Sequence, residues 1–309
     1  MLLKNIKLYR YKFGAVVLQA MLGLFVLFDA QLFARDVIDQ LGRKITLPQS
    51  PQRVVSLAPN ITEIIFALSL EHRLVGVTLF SDYPAEAAKI PKVGSYVCLD
   101  LEKIIALRPD LCIAVKDGNP KETVDRLNSM DVAVYAVDPR NLYSVMDSIL
   151  EIGRLLFAEQ KAINLVHDMN RRIEAVKAKV AETSYRPGVF CQIGASPIVS
   201  VGSGTIINEL IVTAGGRNLS QGPVAYPRFN REQVLALSPD VLIVTSMERE
   251  LVFEDIKAEW NRWPDLPAVR EQKIFLVDSD LCDRAGPRLI EGLELFLEMI
   301  HPESIENSR

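Results

Sequence analysis

The chain has 309 residues, 49% of them hydrophobic and 24% charged, with 16 Gly, 17 Pro and four Cys. That composition excludes a disordered chain, a collagen-like or low-complexity architecture and a disulfide scaffold, and the length leaves room for two domains of ordinary size. The formal charge is −4, from 35 basic and 39 acidic side chains, and the mean hydropathy of +0.15 is high for such a composition.

Part of the apolar excess lies at the N-terminus. Lys4, Lys7, Arg10 and Lys12 precede an uncharged run from Phe13 to Phe28, followed by Asp29 and a mixed stretch to Ala34. This is the order of an export signal, and the apolar run is short of the roughly 20 residues that span a bilayer. Residues 1–34 are therefore expected to be a signal peptide cut at Ala30 or Ala34, or an N-terminal anchor, because Phe28 and Leu32 fit poorly just before a cut. The expected location is the periplasm, free or tethered. No cysteine follows the run, so no lipid attachment is expected there. Without these residues the chain holds 31 basic and 38 acidic side chains, a net charge of −7. Nucleic acid is excluded as a partner on that balance, since phosphate binding requires basic surface.

From residue 53 onward strands and helices alternate. RVVSLAP (53–59), LVGVT (74–78), DLCIAV (110–115) and VAVYAVD (132–138) read as strands. Asn60–Ile61–Thr62–Glu63 reads as a capping box opening a helix to Leu70. Leu142, Val145, Met146 and Ile149 start one amphipathic helix; Ile163, Val166, Met169, Ile173, Val176 and Val180 mark a second from about Glu159 to Glu182. RPGVFCQIG (186–194), DVLIVT (240–245) and KIFLVDS (273–279) are strands of a second set.

An internal repeat relates the two sets. DLEKIIALRPDLCIAV (100–115) and NREQVLALSPDVLIVT (230–245) share Glu102/Glu232, Ala106–Leu107/Ala236–Leu237, Pro109–Asp110/Pro239–Asp240 and Ile113/Ile243 at a constant offset of 130. Each copy is a short helix stopped by a Pro-Asp turn, then a continuous apolar strand of the kind buried on both faces of a parallel sheet. The expected fold is α/β: an N-terminal lobe over 35–140, connecting helices over 141–182 and a similar C-terminal lobe over 183–309. Both sheets are mainly parallel, and a long rigid helix joins the lobes beside a cleft suited to a small molecule.

Chemistry-bearing motifs are few. There is no GxSxG, Walker or dinucleotide fingerprint, so no catalysis is expected. Glu63 reads as the capping residue and Asp82 as part of a turn rather than as an acid/base pair. His72, His167 and His301 are scattered and no CxxC occurs, so no metal site is expected. Cys112 and Cys191 lie in apolar strand runs and read as buried thiols; pairing among them, Cys98 and Cys282 is left open. Val201–Thr205 (VGSGT) reads as a turn and cap for the helix INELIV rather than a phosphate cradle.

The segments RVVSLAPNITEIIFAL, VGVTLFSDYP, KVGSYVCLDLEKIIALRPDLCIA, FNREQVLALSPDVLIV and SDLCDRAGPR resemble the helical-backbone class of periplasmic binding proteins of ABC importers for cobalamin and iron complexes. The resemblance runs from about Val37 to Met299 and is nearest the cobalamin branch. It implies a monomeric receptor without a cofactor of its own, delivering a corrinoid, or alternatively haem or a ferric siderophore, to a membrane permease. By residue-to-residue match it places Phe80, Tyr83, Tyr96, Val115, Asn119, Ile193, Tyr226, Asp280 and Arg284 at the ligand, and Glu102 and Glu232 against arginines of the permease. Val115, Ile193 and Tyr226 stand where the resemblance leads one to expect larger aromatics. That implies a weaker pocket for cobalamin or one shaped for another corrinoid.

Overall fold

The computed structural model describes residues 34–246 and 250–303. Apart from Ala34, the expected export segment lies outside the described residues.

The described chain opens with an antiparallel hairpin, β1 (Ala34–Ile38) and β2 (Lys44–Pro48), which has no distinct signal in the hydrophobic pattern. Its turn is tied by Asp39, whose carboxylate accepts the Leu41 and Arg43 N–H groups and pairs with the Arg43 guanidinium at 2.7 Å. The Asp39 carboxylate also accepts the Ala136 N–H, and the Gln40 N–H donates to the Ala136 carbonyl. The hairpin tip thus covers a sheet edge that would otherwise offer free pairing groups.

That edge belongs to the N-terminal lobe. Here β3 (Val54–Ser56), β4 (Leu74–Gly76), β5 (Leu111–Val115) and β6 (Val134–Val137) form a parallel sheet in the order β4–β3–β5–β6. Its helices are α1 (Pro59–Ala67), α2 (Leu101–Ala106) and α3 (Lys121–Ser129). Two helices then leave the lobe: α4 (Leu142–Leu155), opened by a capping box between Asn141 and Ser144, and the 23-residue α5 (Glu159–Ala181), about 34 Å long at 1.5 Å per residue.

The C-terminal lobe contains β7 (Gly188–Gly194), β8 (Ile198–Ser200), α6 (Ile206–Thr213), β9 (Arg217–Asn218), β10 (Arg228–Phe229), α7 (Arg231–Leu237), β11 (Val241–Ser246), α8 (Glu250–Trp260), α9 (Pro267–Arg270), β12 (Ile274–Asp278), α10 (Ser279–Cys282) and α11 (Leu289–Ile300). β9, β7, β11 and β12 pair in parallel, while β8 and β10 extend the sheet antiparallel beyond β7.

The repeat extends to backbone detail. Asp100 caps α2 by accepting the Lys103 N–H, and Asn230 caps α7 by accepting the Gln233 N–H. Both helices stop at a left-handed residue, Arg108 at φ 47° and Ser238 at φ 48°. After the turn, Asp110 accepts the N–H groups of Gln52 and Arg53, and Asp240 accepts the Gly188 N–H and the Tyr185 hydroxyl. In each lobe the Pro-Asp carboxylate therefore staples the segment entering one strand to the start of its neighbour.

Packing follows the strand period of two. Leu111 and Ile113 of β5, with Val241 and Ile243 of β11, face one continuous core. Their neighbours Cys112 and Ala114, and Leu242 and Val244, face two smaller outer cores, one per lobe. The continuous core runs from Ile61, Ile64 and Ile65 of α1 through Val145, Ile149 and Ile152 of α4 and Met169, Ile173 and Val176 of α5. It ends on Leu210 of α6 and Leu293 and Phe296 of α11. The connecting helices are thus embedded in both lobes.

One local expectation is corrected. α1 begins at Pro59, with Ala58 as an N-cap that makes no side-chain bond, so the capping box at Asn60–Glu63 does not form. Proline suits a first helical turn, where its missing N–H goes unneeded, and both presumed capping side chains turn to the other lobe.

The closest approach between α4 and α5 is at Gly153, where an added Cβ would sit 2.4 Å from the Ala162 Cβ. Gly153→Ala is expected to lower stability by about 1–3 kcal/mol through overpacking, against the gain of about 1 kcal/mol alanine brings to an unconstrained helix. Ala162→Gly in the same chain should return part of the loss. Urea unfolding of the two variants checks this; a stabilised single variant would refute the close crossing.

Candidate ligand cleft

The N-terminal wall of the cleft is built on the turn after β4. Ser56, Thr62, Thr78 and Ser81 form a buried hydroxyl cluster with contacts of 2.8–3.0 Å, and Lys92 donates to the Ser81 and Ala87 carbonyls. On this base the turn projects Phe80 and Tyr83, both about half exposed. Phe80 meets Tyr96 edge to face, with ring centroids 6.2 Å apart. Asn119 is buried and its amide is spent on backbone: it accepts the Val115 N–H and donates to the Leu57 and Tyr96 carbonyls at 2.8 Å. The residue matched to a ligand contact therefore holds the Tyr96 loop in place. Val115 is half-buried against the core.

On the C-terminal wall, Tyr226 is 60% exposed beside an exposed Val224. Their loop lies on β8: the Gly202 N–H donates to the Ala225 carbonyl, and a Cβ at Gly202 would stand 1.9 Å from the Val224 oxygen. That approach requires glycine, while Thr205 caps α6 by accepting the Asn208 N–H, so the VGSGT segment is a turn and cap. Ile193 packs half-buried against the core.

The floor joins the lobes and is ionic. Glu63 of α1, its side chain 2% exposed, accepts both Nε and Nη2 of Arg288 at 3.0 and 2.7 Å and Nη1 of Arg284 at 3.2 Å. Arg284 also reaches Asp82 and Asp280, each at 2.9 Å, and the Phe80 carbonyl at 3.1 Å. The Arg288 guanidinium stacks 3.9 Å from the Tyr83 ring centroid. Burial works against both guanidinium charges, but the carboxylate partners outweigh it and both pKa values end above the ordinary arginine range. Beside this network, Asp283 is solvent-accessible yet flanked by protein. Desolvation, with the charge of Asp280, pushes its carboxyl up to about 6.

The structure thus joins Phe80, Tyr83, Tyr96, Asp280 and Arg284 through the floor network, with Asp280 and Arg284 paired to each other, while Tyr226 feels the charges of Asp283 and Asp117. Sequence reasoning missed Arg288 and Asp283, and read Glu63 as a cap. An acidic residue inside the apolar run ITEIIFAL was the available signal, since a buried carboxylate needs a partner. Glu102 and Glu232 lie elsewhere, at the second position of α2 and α7, both exposed. Cys98 is exposed and Cys112, Cys191 and Cys282 are buried, all as free thiols. Among the described residues no group of three His, Cys, Asp or Glu is placed to hold a metal ion.

Two α/β lobes on a shared helical strut, with a cleft between them, define the receptor class whose backbone link is helical. Residues 54–281 match the family described as periplasmic binding protein, and the chain belongs to that family. It is 32% identical over 268 residues to the vitamin B12-binding protein of Vibrio parahaemolyticus, covering 86% of this chain and 94% of that one. It is 30% identical over 282 residues to an uncharacterized ABC transporter substrate-binding lipoprotein, YvrC, of Bacillus subtilis, covering 89% and 88%. Among solved structures, the periplasmic vitamin B12 binding protein BtuF of Vibrio cholerae superposes with a TM-score of 0.71 at 27% identity, over 81% of this chain and 96% of that one. The periplasmic heme-binding protein RhuT from Roseiflexus sp. RS-1, in apo form, superposes with a TM-score of 0.74 at 27% identity, over 82% and 99%. Both of these solved structures are of periplasmic proteins, and among the described residues here no helix is long and apolar enough to cross a membrane.

The raised carboxyl of Asp283 fixes the sign of a pH effect. The unfolded group loses its proton near 3.8 and the folded one near 6, so the native state holds the extra proton between them and stability falls as pH rises through that interval. Asp283→Asn is expected to flatten this decline and to be the more stable protein above pH 6, by up to about 1 kcal/mol after solvent screening. Urea unfolding midpoints at about pH 4 and pH 7.5 test it; an identical pH dependence in both proteins would refute it.

Proposed function

We propose that this protein captures a corrinoid between its lobes in the periplasm and delivers it, chemically unchanged, to an ABC permease in the cytoplasmic membrane. The observation that carries this reading is a cleft with exposed aromatic rings on both walls over an acidic floor. Phe80, Tyr83 and Tyr96 on one side and Tyr226 on the other suit a broad, flat, largely apolar ring system. Asp82, Asp280 and Asp283 suit hydrogen-bond donors around that ring, and a corrin carries carboxamides there. The names of the relatives in Vibrio parahaemolyticus and Vibrio cholerae support the same ligand.

Haem is the competing ligand, because Tyr96 and Tyr226 bring phenols to the cleft and RhuT shares the fold. Charge argues against it. Haem propionates would face the same carboxylates, and Arg284 is already engaged by Glu63, Asp82 and Asp280. Ferric siderophores that carry net negative charge meet the same objection.

Purification without added ligand, followed by an absorption spectrum and titration with cyanocobalamin, cobinamide and haemin, decides between them. Corrin bands or saturable corrinoid quenching are expected; a Soret band with no corrinoid response would overturn the reading. Tyr96→Ala and Tyr226→Ala should each weaken corrinoid binding by roughly fivefold, the loss of about 1 kcal/mol of ring contact.

Delivery is assigned to Glu102 and Glu232, which the repeat sets at equivalent points of the two lobes. They would pair with basic residues of the permease, fixing docking register and speeding encounter more than adding affinity. The double variant Glu102→Gln with Glu232→Gln is expected to abolish corrinoid uptake by cells while leaving corrinoid affinity unchanged. Retained transport would remove both residues from this role.

A further inference from the structure

We infer that Glu63 is the positioning residue of the cleft: it fixes the angle between the lobes before ligand arrives and sets Arg284, which in turn holds Asp82 and Asp280 at the floor. This rests on the reading of the cleft as the ligand site. Glu63 is a carboxylate of the N-terminal lobe whose three short contacts all go to arginines of the C-terminal lobe, 221 and 225 residues away. The side chains concerned are nearly closed to solvent, at 2% for Glu63, 14% for Arg284 and 12% for Arg288.

The surrounding backbone is fitted to this pairing. Asn60, one turn earlier on α1, donates from its side-chain amide to the Ala285 carbonyl at 3.1 Å. Gly286 lies so close to α1 that a Cβ there would meet the Glu63 carboxylate at 3.5 Å and the Asn60 Cβ at 3.6 Å. The whole 284–288 segment is therefore seated on α1 by one buried anion and one amide. The bidentate geometry of Glu63 with Arg288 restricts orientation as well as distance, which a point charge would not do.

Two consequences follow for binding. With Arg288 held by Glu63 and stacked on Tyr83, the cleft wall and floor move as one unit. With Arg284 shared among Glu63, Asp82 and Asp280, its guanidinium is fixed and fixes both aspartates in turn, so a ligand meets ordered acceptors and their ordering costs less. If Glu63 is removed, two buried guanidinium groups lose their anion and the segment 284–288 lifts from α1. The lobes then sample wider angles, and the apparent affinity falls by the fraction of molecules still in the competent arrangement.

The test uses the full mature chain with spin labels at Ser129→Cys and Arg270→Cys, on α3 and α9, in a Cys98→Ser background. In the free protein, Glu63→Gln is expected to broaden the distance distribution between labels, and added cyanocobalamin to narrow it again. Corrinoid affinity should fall about tenfold or more, mainly through slower association, since fewer free molecules are in the competent arrangement. If Glu63→Gln does not fold, Glu63→Asp keeps the charge but withdraws it by one methylene, and the same broadening is expected to a smaller extent. An unchanged distribution in a folded variant, or a broadened one with unchanged affinity, would overturn the inference. The measurement on free protein needs no ligand. If the parent protein binds no corrinoid, the Proposed function fails and the lobe-angle result still stands by itself.

Discussion

The structure depends on the burial of two connecting helices in both lobes at once. Ile149 and Ile152 of α4 and Met169, Ile173 and Val176 of α5 lie in the same apolar cluster as Ile61 of one lobe and Leu293 and Phe296 of the other. Pulling either lobe off this strut exposes apolar surface at about 25 cal/mol per Å², so the strut cannot serve as a free hinge. On the cleft side the lobes meet through the ionic groups of the floor and the Asn60 amide, where Glu63 holds them at one angle. A small rocking of the lobes is the motion this arrangement permits.

The repeat explains how two unlike walls come from one plan. In each lobe a capped helix ends in a left-handed residue, a Pro-Asp turn follows, and a carboxylate staples the neighbouring strand. Holding a non-glycine residue left-handed costs about 1–2 kcal/mol, and its recurrence at Arg108 and Ser238 indicates that this turn geometry is what brings the next strand back into the sheet. The lobes diverge where they face one another. The N-terminal lobe lays its aromatic turn on a buried hydroxyl cluster, whereas the C-terminal lobe adds β8 and β10 and hangs the Tyr226 loop from them. Exposed Glu102 and Glu232 keep matching positions on α2 and α7; the unlike segments around Phe80 and Tyr226 are chemically distinct.

The parts legible in the sequence are those written locally. β5, β11 and β12 are continuous apolar runs, α5 keeps a three-or-four spacing from Ile163 to Val180, and the repeat is visible at a fixed offset. The β1–β2 hairpin, β8 and β10 are too short or too mixed to show a period. Their pairing depends on Asp39, Gln40 and the Gly202 approach rather than on pattern. The site divides in the same way. Aromatic positions could be matched by motif, but the fate of a polar side chain depends on residues remote in sequence. Asn119 turned to the backbone of Leu57 and Tyr96, and Glu63 left its helix for Arg284 and Arg288 more than 200 residues on.

Those distant pairings also set the charge a ligand meets. Glu63, Asp82 and Asp280 carry one more charge than Arg284 and Arg288 can cancel, and Asp283 adds another above pH 6. The two arginines are held inside this network rather than presented as free cations, so the floor is an acceptor surface despite containing them. Removing a buried partner from such a network is costly because it leaves an uncompensated charge, which keeps the acceptor character in place whether or not the cleft is filled. Flat rings on the walls and fixed acceptors beneath them select for a ligand that is apolar across its face and donates hydrogen bonds from its rim. A dianionic ring system of similar size would have to displace Asp82 or Asp280 from Arg284 before it could find a cation.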